Sequence, residues 1–454
     1  MTVIQSINPY SGELNAEFEL FTDEIIDKKI SKANSVYLEW KNTSFYERKK
    51  LFYKLADVLE ENIEEYAKLQ TIEMWMLYSA SIWWLKWTIK LIKWFADNAE
   101  EVLQDEEFNT NWTTWKYIYD PLGVIFWIWP WNFPFAQILR AAVPNIIAWN
   151  TVVYKHASNV PMCAYNLEKL FLDAGFSEWI YTNMFISSSK SEYIISKKEI
   201  KWVNLTWWEL AWKSIGSLAG KYLKPSVLEL WWNDPFLVLD HVDTKKMVID
   251  ATACRIANWW QKCNSSKRFI VLDKYYDEFV KEVWIYMENL IVWDPMEPTT
   301  QIPPLAKQNL VDELHNQVQK SVLEWALLIT WWSKLGKNWE FYAPTVLANV
   351  TKWMTCYDEE TFGPVLNIIK STSIEESIRI ANDSNFWLSA CVYWDDIEQC
   401  REAASKLEWW MIFINAPAWS KPYLPFGWVK KSWYWKENWP EGLKAFVNKK
   451  VIIY

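Results

Sequence analysis

Val124-Ile-Phe-Trp-Ile-Trp-Pro130-Trp-Asn132-Phe-Pro134, then residues 138–148, then Thr151-Val-Val-Tyr154, reads as strand, turn, helix, strand. The two apolar runs are short and rich in β-branched residues, whereas the segment between them has helical length. Working outward, the alternation continues. A helix is expected over 161–174, a strand over 180–185, a helix over 187–196, a strand over 203–206, a helix over 209–219 and a strand over 226–230. Five apolar strands separated by helices describe a doubly wound parallel sheet of the α/β class. Upstream, residues 24–70 and 82–103 carry apolar positions at three- and four-residue spacing, the period of amphipathic helices. Downstream, a second α/β pattern places helices at 244–257, 274–290, 310–326, 374–383 and 396–406. Its strands fall at 269–272, 365–370, 389–393 and 411–414, and the chain ends in the strand-like Val451-Ile-Ile-Tyr454. The expected domains are 1–230, 231–425 and a C-terminal segment 426–454.

Composition excludes several classes. The net charge of −9, with dispersed lysines, offers no basic face for nucleic acid. No apolar run approaches the roughly 20 residues of a membrane span, and the N-terminus lacks the pattern of a signal peptide. Six cysteines stand singly between Cys163 and Cys400, without a CxxC pair, and three histidines are scattered, so no metal site and no disulfide framework is expected. These features place the chain in the cytoplasm.

Five segments carry chemistry. Asn132, bracketed by Pro130 and Pro134, stands at the carboxyl end of a strand, where its amide can donate to an oxyanion. Lys155 ends a buried strand, where a cation suits ribose or phosphate. Glu229 lies in the apolar run Leu228-Glu229-Leu230, and desolvation there favours a general base. Cys263 stands in the polar loop Gln261-Lys262-Cys263-Asn264, beside a cation that favours the thiolate. Cys254 and Cys391 sit among apolar residues, as structural cysteines do. Glu360-Thr-Phe362-Gly363-Pro364 is a short acidic turn. Arg140 and Arg268 are read as structural.

One count is abnormal: 9 Gly against 37 Trp. A chain of this length needs many positive-φ turns, which glycine supplies without steric cost. Yet tryptophans fall at expected turns, as in Trp83-Trp84, Trp231-Trp232 and Trp331-Trp332. A gene in which UGA specifies glycine, translated with a table that assigns UGA to tryptophan, gives such a sequence. Trp40 and Trp94, in amphipathic helices, and Trp131 are ordinary.

In this order the five segments resemble the aldehyde dehydrogenase superfamily, nearly end to end. Its proline-bracketed Trp-Asn stands here as Trp131-Asn132, its strand-end Lys as Lys155, and its Glu-Leu-Gly-Gly as Glu229-Leu230-Trp231-Trp232. Its Gly-Gln-x-Cys stands as Trp260-Gln261-Lys262-Cys263 and its Glu-x-Phe-Gly-Pro as Glu360 to Pro364. Most departures are Trp for Gly. The resemblance implies a Rossmann-type cofactor domain, a second catalytic α/β domain and a small oligomerisation element. It implies oxidation of an aldehyde through a Cys263 thiohemiacetal and thioester, with Asn132 holding the oxyanion and Glu229 activating water. It assigns Trp131, Lys155, Ser158, Thr206, Trp207, Trp208, Leu230, Glu360 and Phe362 to the cofactor site. The cofactor is expected to be NADP or NAD, with NADP favoured because Ser158 replaces a carboxylate that would repel a 2′-phosphate. The substrate branch is most like succinate-semialdehyde dehydrogenase, and the assembly a homodimer or homotetramer. A CoA-acylating relative is the alternative chemistry, disfavoured by the presence of Glu229. A non-catalytic protein that keeps the fold is the alternative if the tryptophans are real.

Overall fold

A computed structural model of the chain describes residues 2–206, 209–229, 233–240, 243–256, 261–330, 334–335, 341–384, 386–427, 429–430, 433–434, 436–438 and 440–454. The strand–turn–helix–strand unit is present as Val124–Ile128, Ala136–Ile147 and Thr151–Lys155. Both strands are buried along their whole length, which is why they read as continuous apolar runs rather than alternating ones. They lie in a six-stranded sheet with Tyr181–Asn183 on one side and Ile200–Thr206 and Ser226–Glu229 on the other. These five strands are parallel. The chain moves outward in one direction through the first three, then crosses back to place Ile200–Thr206 beside Val124–Ile128. That reversal creates the crevice at which open α/β sheets bind ligands. The sixth strand, Trp433–Tyr434, arrives from the chain's tail and pairs antiparallel with Leu228 and Glu229.

A second, seven-stranded sheet runs Leu327–Leu328, Thr345–Ala348, Val365–Ser371, Arg268–Leu272, Pro235–Val238, Ser389–Tyr393 and Met411–Ile414. All its pairings are parallel except the first. A three-stranded antiparallel sheet of Glu106–Asn109, Thr114–Pro121 and Val447–Ile453 stands apart from both.

The helical stretch expected over 24–70 is helical and divides into three helices, Asp23–Trp40, Phe45–Glu61 and Ile63–Met74. The first break is dictated locally. Ser44 accepts a hydrogen bond from the Glu47 backbone while the Glu47 carboxylate accepts from the Ser44 N–H, and this capping box starts a new helix. The N-terminal hairpin of Val3–Ile7 and Leu14–Glu19 and the strand Thr114–Pro121 were not expected. Few of their residues are buried and their polarity is mixed, so no buried face marks them.

Tryptophans divide into two kinds. Trp40 is buried, and its indole N–H donates to the Ile146 carbonyl at 2.9 Å. By contrast Trp75, Trp149, Trp179, Trp325 and Trp353 adopt φ values of 65–80°. Trp75 forms the left-handed C-cap of Ile63–Met74, the place where glycine ordinarily ends a helix. A bulky L-residue in that region costs about 1–2 kcal/mol. The buried indole N–H groups of Trp75 and Trp127 also find no partner among the described residues.

Retained glycine shows what such positions demand. Gly363 packs so tightly on the helix Gln308–Leu323 that an added Cβ would lie 2.2 Å from a Leu314 methyl. Gly363→Ala is therefore expected to destabilise the protein by about 1–3 kcal/mol through overpacking, measured as a lowered denaturant midpoint; an unchanged midpoint would contradict this packing. Glycine at the five left-handed tryptophan positions relieves their strain. Intact-mass measurement on protein from the natural source is expected to fall below 54.3 kDa, and a mass equal to it would overturn that expectation.

Candidate active site

Cys263 lies on the loop that leads into Arg268–Leu272, the central strand of the larger sheet. Unlike the other five cysteines, which are buried, it is partly exposed. Three contacts fix its loop. The Asn132 amide donates to the Gln261 carbonyl at 3.0 Å, joining the proline-bracketed turn of the first sheet to a residue two positions from the sulfur. The Gln261 side-chain oxygen accepts the Ala306 N–H at 3.1 Å. The Lys267 ammonium donates to the Cys263 carbonyl.

Lys267 also pairs with Glu360 at 2.8 Å, its own side chain wholly buried and that of Glu360 nearly so. The turn from Glu360 to Pro364 is pinned from beneath by Arg255, a fully buried side chain. Its guanidinium donates to the carbonyls of Thr361, Gly363 and Val365 at 2.5–2.7 Å. Burial pulls the Arg255 pKa down to about 9, against the opposing attraction of Glu360. Phe362, on the same turn, meets Trp131 edge to face with ring centroids 6.1 Å apart. Asn132, Cys263 and Glu360, far apart in sequence, are thus tied into one connected structure.

Asp234 supports the loop from below. It accepts from Ser389 at 2.7 Å and 3.2 Å, and burial raises its pKa to about 7 although Lys267 opposes the rise. Arg268 donates to the carbonyls of Asn233, Ile380, Ala381 and Asp383, in keeping with its structural reading. Arg140 is buried as well. It lines a narrow cavity of about 30 Å³ together with Cys263, Lys262, Gln137, Asn264 and Ser420. Trp84, Trp87, Lys262 and Ser420 also border a wider cavity of about 460 Å³ that includes Lys421.

A third cavity, of about 1460 Å³, opens at the carboxyl ends of Val124–Ile128 and Ile200–Thr206, the two strands flanking the reversal. Ile128 and Leu205 form its floor, and Lys155, Ser158, Ser187, Ser214 and Lys307 line its walls. Lys155 is buried, and desolvation, aided by the charge of Lys307, lowers its pKa to about 8. Glu73, the carboxylate in this lining among the described residues, is engaged elsewhere: it accepts the Met162 and Cys163 N–H groups that open the helix Pro161–Asp173. Two cations, several hydroxyls and this volume at a sheet switch point fit a dinucleotide with an additional phosphate. Ala306 belongs to this lining as well, so its bond to Gln261 links the cavity to the Cys263 loop.

Glu229 ends its strand opposite Thr206, and Thr206 is buried. The Glu229 side chain, and Trp207, Trp208 and Leu230, lie outside the described residues. Lys267, Arg255 and Lys307 escaped the sequence reading. Nothing local marks them, since each acquires its importance from partners 90 or more residues away or from a wall built by another segment. Among the described residues no group of His, Cys, Asp and Glu could hold a metal ion, and no helix is long and apolar enough to cross a membrane.

Comparison with known proteins agrees with this architecture. The model of the aldehyde dehydrogenase family matches residues 1–452. The succinate-semialdehyde dehydrogenase [NADP(+)] of Mycobacterium avium (strain 104) is 37% identical over 455 residues, covering 99% of this chain and 96% of that protein. Succinate-semialdehyde dehydrogenase [NADP(+)] 1 of Mycobacterium tuberculosis (strain ATCC 25618 / H37Rv) is 34% identical over 452 residues, 99% of each chain. The crystal structure of succinic semialdehyde dehydrogenase from Streptococcus pyogenes, in complex with NADP+, superposes with a TM-score of 0.96 at 34% identity, covering 99% of both chains. With its two mainly parallel sheets and its Asn132–Cys263–Glu360 connection, this chain belongs to the aldehyde dehydrogenase family.

Proposed function

We propose that this protein oxidises succinate semialdehyde, or a short aldehyde that likewise carries a distal carboxylate, to the acid, with NADP preferred over NAD. The observation that carries the reading is the linkage of Asn132, Cys263 and Glu360 through Gln261 and Lys267. The names of the relatives point to the same substrate and cofactor. So does the lining of the two cavities near the sulfur, where Arg140, Lys262 and Lys421 are present and carboxylates are absent among the described residues.

In this reading the Cys263 thiolate forms a bond to the aldehyde carbon, and the carbonyl electron pair moves to oxygen. The Asn132 amide, its plane fixed by Gln261, and the Cys263 backbone N–H stabilise that oxyanion. A nicotinamide bound at the switch-point crevice supplies the acceptor for the hydride that leaves the carbon, and a thioester on Cys263 remains. Glu229 takes a proton from water, water attacks the thioester, and the carbon–sulfur bond breaks to release the acid. Glu360, held by Lys267, suits a ribose hydroxyl, with Trp131 and Phe362 alongside. Thr206, Trp207, Trp208 and Leu230 complete the cofactor site in this reading.

Lys155, Lys307 and Ser158 border one cavity, which suits a 2′-phosphate on the adenosine ribose. The domains divide as 1–230 for the cofactor, 231–425 for catalysis and 426–454 as a returning tail. A homodimer or homotetramer is supported by Val451, Ile452 and Ile453, exposed on the small three-stranded sheet. Six free thiols suit the reducing cytoplasm.

Cys263→Ala is expected to lower aldehyde oxidation by more than about a thousandfold, because no other group supplies the nucleophile; near-normal turnover would refute the mechanism. Steady-state comparison should give NADP the higher kcat/KM. Because the Lys155 pKa is lowered to about 8, its ammonium is charged well below that pH and loses its proton as pH rises through it. NADP affinity is therefore expected to weaken as pH rises through that value, with NAD affinity changing less. Equal pH dependence for the two dinucleotides in a fluorescence titration would remove Lys155 from phosphate recognition.

A further inference from the structure

We propose that Lys262 is a specificity-determining residue, its ammonium anchoring the carboxylate of the substrate. This rests on the reading of the substrate as an acid-bearing aldehyde and assigns that recognition to a particular atom. Lys262 directly precedes Cys263, yet its side chain turns into the fold rather than into solvent: the residue is 9% exposed and borders both cavities that flank the Cys263 loop. Its ammonium donates to the Ala418 carbonyl at a long 3.4 Å and stands 5.8 Å from the Trp84 ring. No carboxylate lies in either lining among the described residues, and the charges that act on it come from Cys263, Cys254, Cys391 and Lys267. Burial accordingly holds its pKa below the ordinary lysine value.

The contrast with Lys267 is instructive. That ammonium, also buried, has Glu360 at 2.8 Å. A buried cation without a counter-charge is costly, and the cost is relieved by whatever anion enters beside it. Lys262 and Cys263 border the same narrow cavity, so a short chain carrying an aldehyde at one end and a carboxylate at the other can meet both. Neutral aldehydes leave the ammonium unmatched.

The test compares kcat/KM for succinate semialdehyde and for butanal, with NADP saturating, in the wild-type enzyme, Lys262→Met and Lys262→Arg. Lys262→Met keeps the stem and removes the charge. It is expected to lower the acid-to-butanal selectivity ratio by about tenfold or more, chiefly through KM for the acid, and Lys262→Arg to keep most of that ratio. If Lys262→Met retains the wild-type ratio, the anchor is overturned, and a parallel fall of both rates would mean that Lys262 acts on the thiolate instead. Should Lys262→Met fold poorly, succinate protection of Cys263 against iodoacetamide, present in the wild type and lost in Lys262→Gln, reads the same contact without turnover. Protection that persists in Lys262→Gln overturns the proposal. A wild-type enzyme that does not prefer the acid at all refutes the substrate class itself, an outcome visible before any variant is made.

Discussion

The buried ammonium of Lys267 is the constraint on which the site depends. It has no access to solvent, and its two partners come from different parts of the chain: the carbonyl of Cys263 and the carboxylate of Glu360. A fully desolvated ion of this kind tolerates little error in the position of its partners, because losing one leaves an uncompensated charge in a low-dielectric interior. The nucleophile's loop and the acidic turn are thereby held at a fixed separation. Arg255 adds a second rigid support by occupying two carbonyls of the acidic turn and that of Val365 just after it, so that turn cannot drift when the loop is loaded. Asp234 completes the arrangement from beneath.

Much of this was legible in the chain, and the limits are physical. The parallel strands announced themselves because burial on both faces leaves apolar runs such as Val124–Ile128 and Thr151–Lys155 with no alternation to confuse them. Asn132, Cys263 and Glu360 could be nominated because an amide, a thiol and a carboxylate in polar or proline-bracketed settings have few purely structural uses. Lys267 and Arg255 could not. A lysine four residues after a cysteine, and an arginine on an amphipathic helix, look like surface residues until the tertiary fold removes them from water. The antiparallel strands 3–7, 14–19 and 114–121 lack a one-sided apolar pattern for the same reason in reverse, since neither face is fully committed to a core. The continuous period over 24–70 concealed two breaks, although Ser44 and Glu47 marked the first.

The tryptophan count and the geometry point in one direction. Trp40 behaves as an indole that belongs where it is, with its N–H satisfied and its ring packed. Trp75 and Trp353 hold backbone conformations that side chains of their size avoid. The crowding extends to the chemistry: Trp84 and Trp87 border the 30 Å³ space beside Cys263, little more than room for a water molecule or two, whereas a four-carbon aldehyde requires considerably more. Smaller residues at such positions would join this space to the wider cavity that shares its walls.

The strand Trp433–Tyr434 has a consequence for how the molecule is made. Ser226–Glu229 has Ile200–Thr206 on one flank from the middle of synthesis onward, but its other flank is filled only by residues close to the C-terminus. While the polypeptide is still emerging, the strand bearing Glu229 is a bare edge, able to recruit any extended segment nearby. Closure of this edge thus waits for synthesis of residues 433–434, and a nascent chain that lacks them would display the edge to its neighbours and tend to coalesce with them.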